Sequence, residues 1–149
     1  VEKARIMAGK VVPFSVLMND LLALDQIVSD GQKRATTYHA PCHLCRGLDV
    51  KKAPKELILK AGVDFRPADE EQTCCGFGGT YSGKFPAISA RILEKKLADA
   101  VKTGAQQLVT ECPGCIMQLR GGAKQHNMDL RVLHMAEMLK ERYNSYFSP

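Results

Sequence analysis

The chain has 149 residues, 45% hydrophobic and 25% charged, enough for one ordinary domain with a sizeable core. No run approaches the roughly 18 apolar residues that span a bilayer, and no secretory signal is visible. The net charge of +5 comes from 21 Lys and Arg dispersed as in LEKK (93–96), KAPK (52–55) and LKER (139–142), without a single Trp; such dispersal reads as solvated helix faces and argues against a nucleic-acid surface.

The chain opens on Val1 rather than methionine and so reads as a piece of a longer protein. In chain order, PFSVLMNDLLALDQIV (13–28) carries Phe14, Leu17, Met18, Leu21 and Leu22 at helical spacing, and SDGQ (29–32) ends it with turn residues. This gives an N-terminal helical lead-in over 1–32 and a main domain over 33–149. RATTYHA (34–40) has the β-branched and aromatic residues of a strand, and it feeds a functional loop, PCHLCRG (41–47). APKELILKAG (53–62) predicts a short helix closed by Gly62, and VDFRP (63–67) a short strand.

The stretch ADEEQTCCGFGGTYSG (68–83) reads as loop, acidic first and then rich in glycine, with Asp69, Glu70 and Glu71 taken as solvated. FPAISARILEKKLADAVKTG (85–104) is the clearest helix, with an apolar stripe of Ile88, Ile92, Leu93, Leu97 and Val101. A strand over 106–110, a helix over 113–125 weakened by Gly121 and Gly122, a strand over 130–134 and a helix over 135–143 complete the chain. Strands alternating with helices predict an α/β fold, a mostly parallel sheet flanked by helices on both faces. The cysteine-bearing segments follow strands, so they belong at the carboxyl ends, where such folds bind ligands.

Six cysteines are the outlying feature, arranged as Cys42-x-x-Cys45, Cys74-Cys75 and Cys112-x-x-Cys115. Six thiols in a chain with this much apolar residue point to the cytosol and to metal or redox chemistry rather than to disulfide staples. Each CxxC is a natural chelate bite. Cys112 and Cys115 fall near the N-cap and N3 of a predicted helix, where free N–H groups favour thiolates. Gly76 can supply a positive φ, while Gly78 and Gly79 let backbone N–H groups approach sulfur. The glycines lack the GK[ST] ending of a phosphate-binding loop. A strained Cys74–Cys75 disulfide or a thioredoxin-type dithiol leaves most of the set unexplained, and structural zinc leaves two thiols over. His39 and His43 flank Cys42, and either can ligate or donate to a sulfur; His134 reads as packed or capping and His126 as an exposed helix end.

YHAPCHLCRGL (38–48), CCGFGGTYS (74–82), CPGCIMQL (112–119) and LHMAEML (133–139) closely resemble the cysteine-rich, or CCG, domain. This domain occurs in heterodisulfide reductase, in the iron–sulfur protein of glycolate oxidase, in anaerobic glycerol-3-phosphate dehydrogenase and in lactate-utilisation iron–sulfur proteins. The CHLCRGL and GFGGTYS details look most like the lactate and glycolate branch. The resemblance implies an iron–sulfur cluster, [4Fe–4S] and in one branch noncubane, held by Cys42, Cys74, Cys75, Cys112 and Cys115, with Cys45 as a branch-specific addition. Gly76, Gly78, Gly79 and His43 would line it. It further implies an electron-transfer part of a 2-hydroxyacid oxidoreductase that works with flavin or ferredoxin-type partner proteins. Such a part would be cytoplasmic or held at the inner membrane through those partners, and as a fragment it would have no turnover of its own. Family members usually carry two tandem copies, often after a ferredoxin-like domain; this chain has one copy and resembles the C-terminal one. A zinc-stabilised or thiol-redox interaction module, and disulfide reduction at the cluster, remain as alternatives.

Overall fold

Three short runs with β-branched and aliphatic residues, and a two-residue edge at Asp64–Phe65, form the sheet. In the computed structural model, which describes residues 1–21 and 33–147, they are β1 (Ala35–Tyr38), β2 (Asp64–Phe65), β3 (Gln107–Thr110) and β4 (Arg131–His134). The strands pair in the order β2-β1-β3-β4, and every pair is parallel. Tyr38 sits opposite Val109, and Val109 opposite Leu133, so these three side chains share one face. Leu108 and Val132 are paired one residue earlier and share the other.

The helices are α1 (Glu2–Ala8), α2 (Phe14–Val16), α3 (Ala53–Lys60), α4 (Tyr81–Lys84), α5 (Pro86–Lys102), α6 (Pro113–Gln125) and α7 (Met135–Phe147). On the first face Tyr38, Val109 and Leu133 pack with Leu57, Ile58 and Ala61 of the α3 region and Met135, Met138 and Leu139 of α7. On the second, Leu108 and Val132 pack with Leu93, Leu97 and Ala100 of α5 and Leu119 and Ala123 of α6. The parallel α/β fold with helices on both faces is therefore present. It follows from strands whose two faces are both apolar and need cover.

Several local features differ from the expectations. The 41–47 segment is no loop: His43–Gly47 forms a π-helical turn, opened by the Leu44 and Cys45 N–H groups donating to Pro41 O, each at 3.0 Å. A second π turn, Leu17–Leu21, follows α2; Phe14 and Met18 pack on the first core while Leu17 is exposed. Residues 22–28 of the expected first helix, and the turn at 29–32, lie outside the described residues. Residues 81–84 form α4 where only loop was expected.

The buried face of α5 is also rotated from the apolar stripe. Ile88 and Val101 are about half exposed, whereas Ser89, Lys96 and Asp99 are buried with Leu93 and Leu97. The reason is polar. Lys96 Nζ donates to Glu70 O, and Asp99 Oδ2 accepts the Glu70 N–H at 3.0 Å. Polar groups taken out of water are kept only where they find such partners. Glu71, expected to be solvated, is buried; it pairs with Lys55 at 2.7 Å, and its carbonyl accepts the Ala40 N–H at 3.0 Å.

At the start of α7 a histidine takes the N-cap part of a capping box. His134 Nδ1 accepts the Ala136 N–H at 3.1 Å, and Glu137 Oε2 accepts the His134 N–H at 2.7 Å and Arg120 Nη2 at 3.1 Å. His134 also stacks edge-on against Phe14, with ring centroids 5.7 Å apart, so it is packed and capping as its position suggested. His126 is the exposed C-cap of α6.

Packing and capping can each be tested. A Cβ on Gly122 would meet Leu93 Cδ2 at 2.6 Å, whereas Gly121 has open space around it. Gly122→Val should therefore destabilise by about 1–3 kcal/mol through overpacking, and Gly121→Ala should stabilise by up to about 1 kcal/mol through helix propensity. Urea unfolding reads both, and equal effects would contradict this packing. The Glu137 carboxyl is held below its ordinary range, first by the His134 N–H and then by the Arg120 charge. A lowered carboxylate pKa contributes stability above the unfolded value and loses it as pH falls. Glu137→Gln keeps an acceptor for the cap but loses the charge, so it should cost about 0.3–1 kcal/mol near neutrality, and the gap from the parent protein should close in acid in unfolding curves taken across pH.

Candidate metal centre

The winding of the sheet reverses at β1. From β1 the chain crosses by α3 to β2 on one side; from β2 it returns by α5 to β3 on the other. Adjacent connections leaving in opposite directions open a crevice at the carboxyl ends of β1 and β3, where α/β sheets of this kind bind ligands. The chain leaving β1 carries His39 and Cys42, and the chain leaving β3 carries Cys112. Cys112 is the N-cap of α6 in extended conformation, Pro113 is at N1, and Cys115 therefore stands at N3. The positive end of the helix dipole faces both thiols.

The third segment comes from the long connection after β2. It is braced by the Lys96, Asp99 and Lys55 contacts described above, and Arg46 Nη2 adds a bond to Gln72 O at 3.2 Å. Gly76 adopts a φ of +90°, and a Cβ there would lie 2.6 Å from the backbone oxygen of Ser89. Both conditions require glycine. Ser89 Oγ donates to Gly76 O at 2.8 Å and accepts from Gln118 Nε2 at 2.9 Å, which ties the loop to α5 and α6. Gly114 gives room for the Phe77 ring, which its Cβ would meet at 2.7 Å. Gly78 and Gly79 also have positive φ; Gly78 abuts Tyr81, and Gly79 faces open space.

With the loops so held, five sulfurs form a connected group. Cys75 Sγ and Cys115 Sγ are 3.2 Å apart. Cys42 lies close enough to Cys74 and Cys75 to feel both electrostatically, and Cys112 likewise acts on Cys115. Backbone donors face them: Gly76 N–H reaches Cys74 Sγ at 3.3 Å, and the Phe77 N–H is near enough to Cys75 to favour its thiolate. The Cys75 thiol is pulled well below its ordinary range, first by the hydrogen bond with Cys115 and then by His39 and the Phe77 N–H. Cys115 is pushed up by the same bond and by burial. Burial and the neighbouring Cys74 push Cys42 up. All six cysteines are free thiols.

His39, fully buried, is brought into the same place; its ring and the sulfurs of Cys75 and Cys115 offer three donor atoms within 4.8 Å of one another. Cys45 is not. Its side chain is buried in the first core with Tyr38 and Ala40, its sulfur 4.0 Å from Ala40 O, whereas Cys75 and Cys115 belong to the second core. His43 stands on the π turn with its side chain exposed.

These residues fit a metal ion or an iron–sulfur cluster. The donors are soft thiols joined by one imidazole, peptide N–H groups already face two of the sulfurs, and both His39 nitrogens lack hydrogen-bond partners. Two thiolates on one tetrahedral ion at about 2.3 Å stand about 3.8 Å apart, close to the observed Cys75–Cys115 separation. Reading residues in sequence missed Ser89, Gln118 and Lys96. Each is a helix residue whose importance arises from what crosses over it, and nothing in its own neighbours signals that.

A doubly wound parallel α/β domain with thiols from three chain segments gathered at its switch point is the class that fold and site define. The profile of the cysteine-rich (CCG) domain matches residues 36–120, and the chain belongs to that family. Among relatives, Lactate utilization protein A of Bacillus licheniformis is 34% identical over 142 residues, covering 95% of this chain and 59% of the relative. The protein of that name from a Geobacillus species is also 34% identical, covering 94% and 59%. That of Oceanobacillus iheyensis is 35% identical over 134 residues, covering 89% and 54%. The chain thus spans somewhat more than half the length of these relatives. No helix among the described residues is long and apolar enough to cross a membrane.

The two kinds of glycine separate experimentally. Gly79→Ala should cost about 1–2 kcal/mol, the left-handed backbone term alone. Gly76→Ala should cost more, because the Ser89 carbonyl it meets is helix backbone and cannot move aside. Equal losses in denaturant unfolding would refute this account of the loop.

Proposed function

We propose that the chain is the iron–sulfur-binding part of a lactate-oxidising oxidoreductase, and that it relays electrons between partner proteins. The observation that carries this reading is the group Cys42, Cys74, Cys75, Cys112 and Cys115, drawn from three chain segments and met by a peptide N–H donor. A bound cluster would supply a one-electron store at the carboxyl edge of the sheet. The chain's own work is then to hold and insulate it. Cys112 and Cys115 present sulfur at a helix N-terminus, which offsets thiolate charge. The Gly76 and Phe77 N–H groups take up charge on Cys74 and Cys75. Burial of Cys75 and Cys115 keeps water from that side, while Cys42, Cys74 and Cys112, each partly exposed, face outward where a partner could approach.

The substrate class is supported by the printed name of the relatives, lactate utilization; the partners are taken to be flavin or ferredoxin-type proteins of the same complex. Anaerobic purification or reconstitution, followed by iron and sulfide analysis and EPR, tests the reading. The expected result is stoichiometric iron and sulfide, lost in Cys75→Ser and Cys115→Ser and retained in Cys45→Ala, whose sulfur lies in the opposite core. Protein reconstituted under those conditions that takes up no iron sinks the proposal. Stoichiometric zinc without sulfide would instead favour a structural ion on His39, Cys75 and Cys115, the one alternative with a geometric observation behind it. Turnover of a disulfide by the loaded protein would add catalysis to electron relay.

A further inference from the structure

His39 is a buried polar side chain whose ring the fold itself does not use. It is 0% exposed, its backbone N–H donates to Val109 O at 2.9 Å, and neither ring nitrogen has a hydrogen-bond partner. Leaving such groups unmatched forfeits their hydration without return. A sequence that only needed to fill this space would place an apolar residue there. The ring instead faces the sulfurs of Cys75 and Cys115.

We propose that His39 is a further residue of the metal site, an imidazole whose ring N–H donates to the Cys75 sulfur and draws charge from it. The inference rests on the iron–sulfur reading given above. The bond is one that the ring is placed to make rather than one already closed.

Two considerations select donation over direct ligation. First, an imidazole that ligates does so through a lone pair on one nitrogen and keeps its proton on the other. A neutral imidazole has one N–H and one lone pair. Second, the two roles leave different remainders. Donation to sulfur leaves a buried lone pair without a donor. Ligation through the lone pair leaves a buried N–H without an acceptor, and metal-bound histidines almost always give that N–H to a carboxylate or carbonyl. No such acceptor serves His39 among the described residues, and orphaned donors are the rarer case in proteins. Donation is therefore the more favourable arrangement.

The consequence is electronic. Hydrogen bonds to cluster sulfurs favour the more reduced, more negative state and so raise the potential. His39 would add to the peptide donors at Gly76 and Phe77 from a different segment of the chain, at the end of the strand that fixes the crevice. It acts as a positioning and tuning residue, since the sulfur rather than the ring would bond the metal.

The test compares the parent protein with His39→Leu, His39→Gln and His39→Asn in the full chain. All are loaded anaerobically and read by iron and sulfide content, by EPR-monitored redox titration and by hyperfine spectroscopy with ¹⁵N-histidine. His39→Leu should retain the fold by circular dichroism and show a more negative midpoint potential. Gln or Asn, which keep a side-chain N–H, should move that potential back toward the parent value. Should His39→Leu fail to hold the cluster, retention in Gln or Asn supports the donor role, and loss in all three overturns it. An unchanged potential in loaded His39→Leu overturns it, as does a hyperfine coupling of the size of a directly bonded nitrogen. If the parent protein itself takes up no iron, the iron–sulfur reading fails and this inference falls with it. If the parent loads and the variants match it, only this inference fails.

Discussion

The structure depends on the pairing of β1 with β3 and on the reversal of winding between them. Two parallel strands adjacent in space but distant in sequence must be reached by connections on opposite faces. At their carboxyl ends those connections part. Whatever follows β1 and β3 lands on either side of one crevice, so His39 and Cys42 face Cys112 and Cys115 without any direct bond between their loops. Thr36, buried and paired to Gln107 across the two strands, belongs to the same constraint.

Gathering thiols in one buried place raises an electrostatic problem, because neighbouring sulfurs resist ionising together. The fold answers it with fixed dipoles and with a buried lysine, whose burial works against its charge while the nearby carboxylates support it. The N-terminus of α6 and the peptide N–H groups of the Gly76 turn face the sulfurs. Lys96 lies behind them, 2% exposed, bonded to the Glu70 carbonyl and balanced by Asp99, Glu71 and Glu70. The same side chain braces the loop that delivers Cys74 and Cys75, so mechanical support and charge compensation are joined in one residue. From the other end, Ser15 N–H donates to the buried Glu111 at 3.2 Å, and the N-terminal segment is thereby seated beside Cys112.

Much of this was legible residue by residue. The CxxC at 112–115 announced its helix because Pro113 suits N1 and a strand ended just before it. Gly76 announced a turn, and the turn has the positive φ expected. The reason for that glycine was less visible. Its missing side chain makes way for the Ser89 carbonyl of α5, thirteen residues along the chain, and no local pattern encodes that approach. The stripe on α5 misled for a related reason. Periodicity counts apolar residues, whereas the buried face was chosen by Lys96 and Asp99, whose partners sit on another loop.

What the sequence by itself determined is the kind of fold and the donor chemistry: alternating strand and helix patterns, three cysteine segments each after a strand, and glycines where the backbone must turn. Those are local properties, set by side-chain period, φ and thiol chemistry. Only the tertiary structure decided which donors meet. It set Cys45 into the core on one face of the sheet while Cys75 and Cys115 entered the other, and it brought His39 rather than His43 against sulfur. Two residues of one CxxC, or two histidines four apart, look alike in sequence; the sheet separates them because its two faces, and the inside and outside of one turn, are different places.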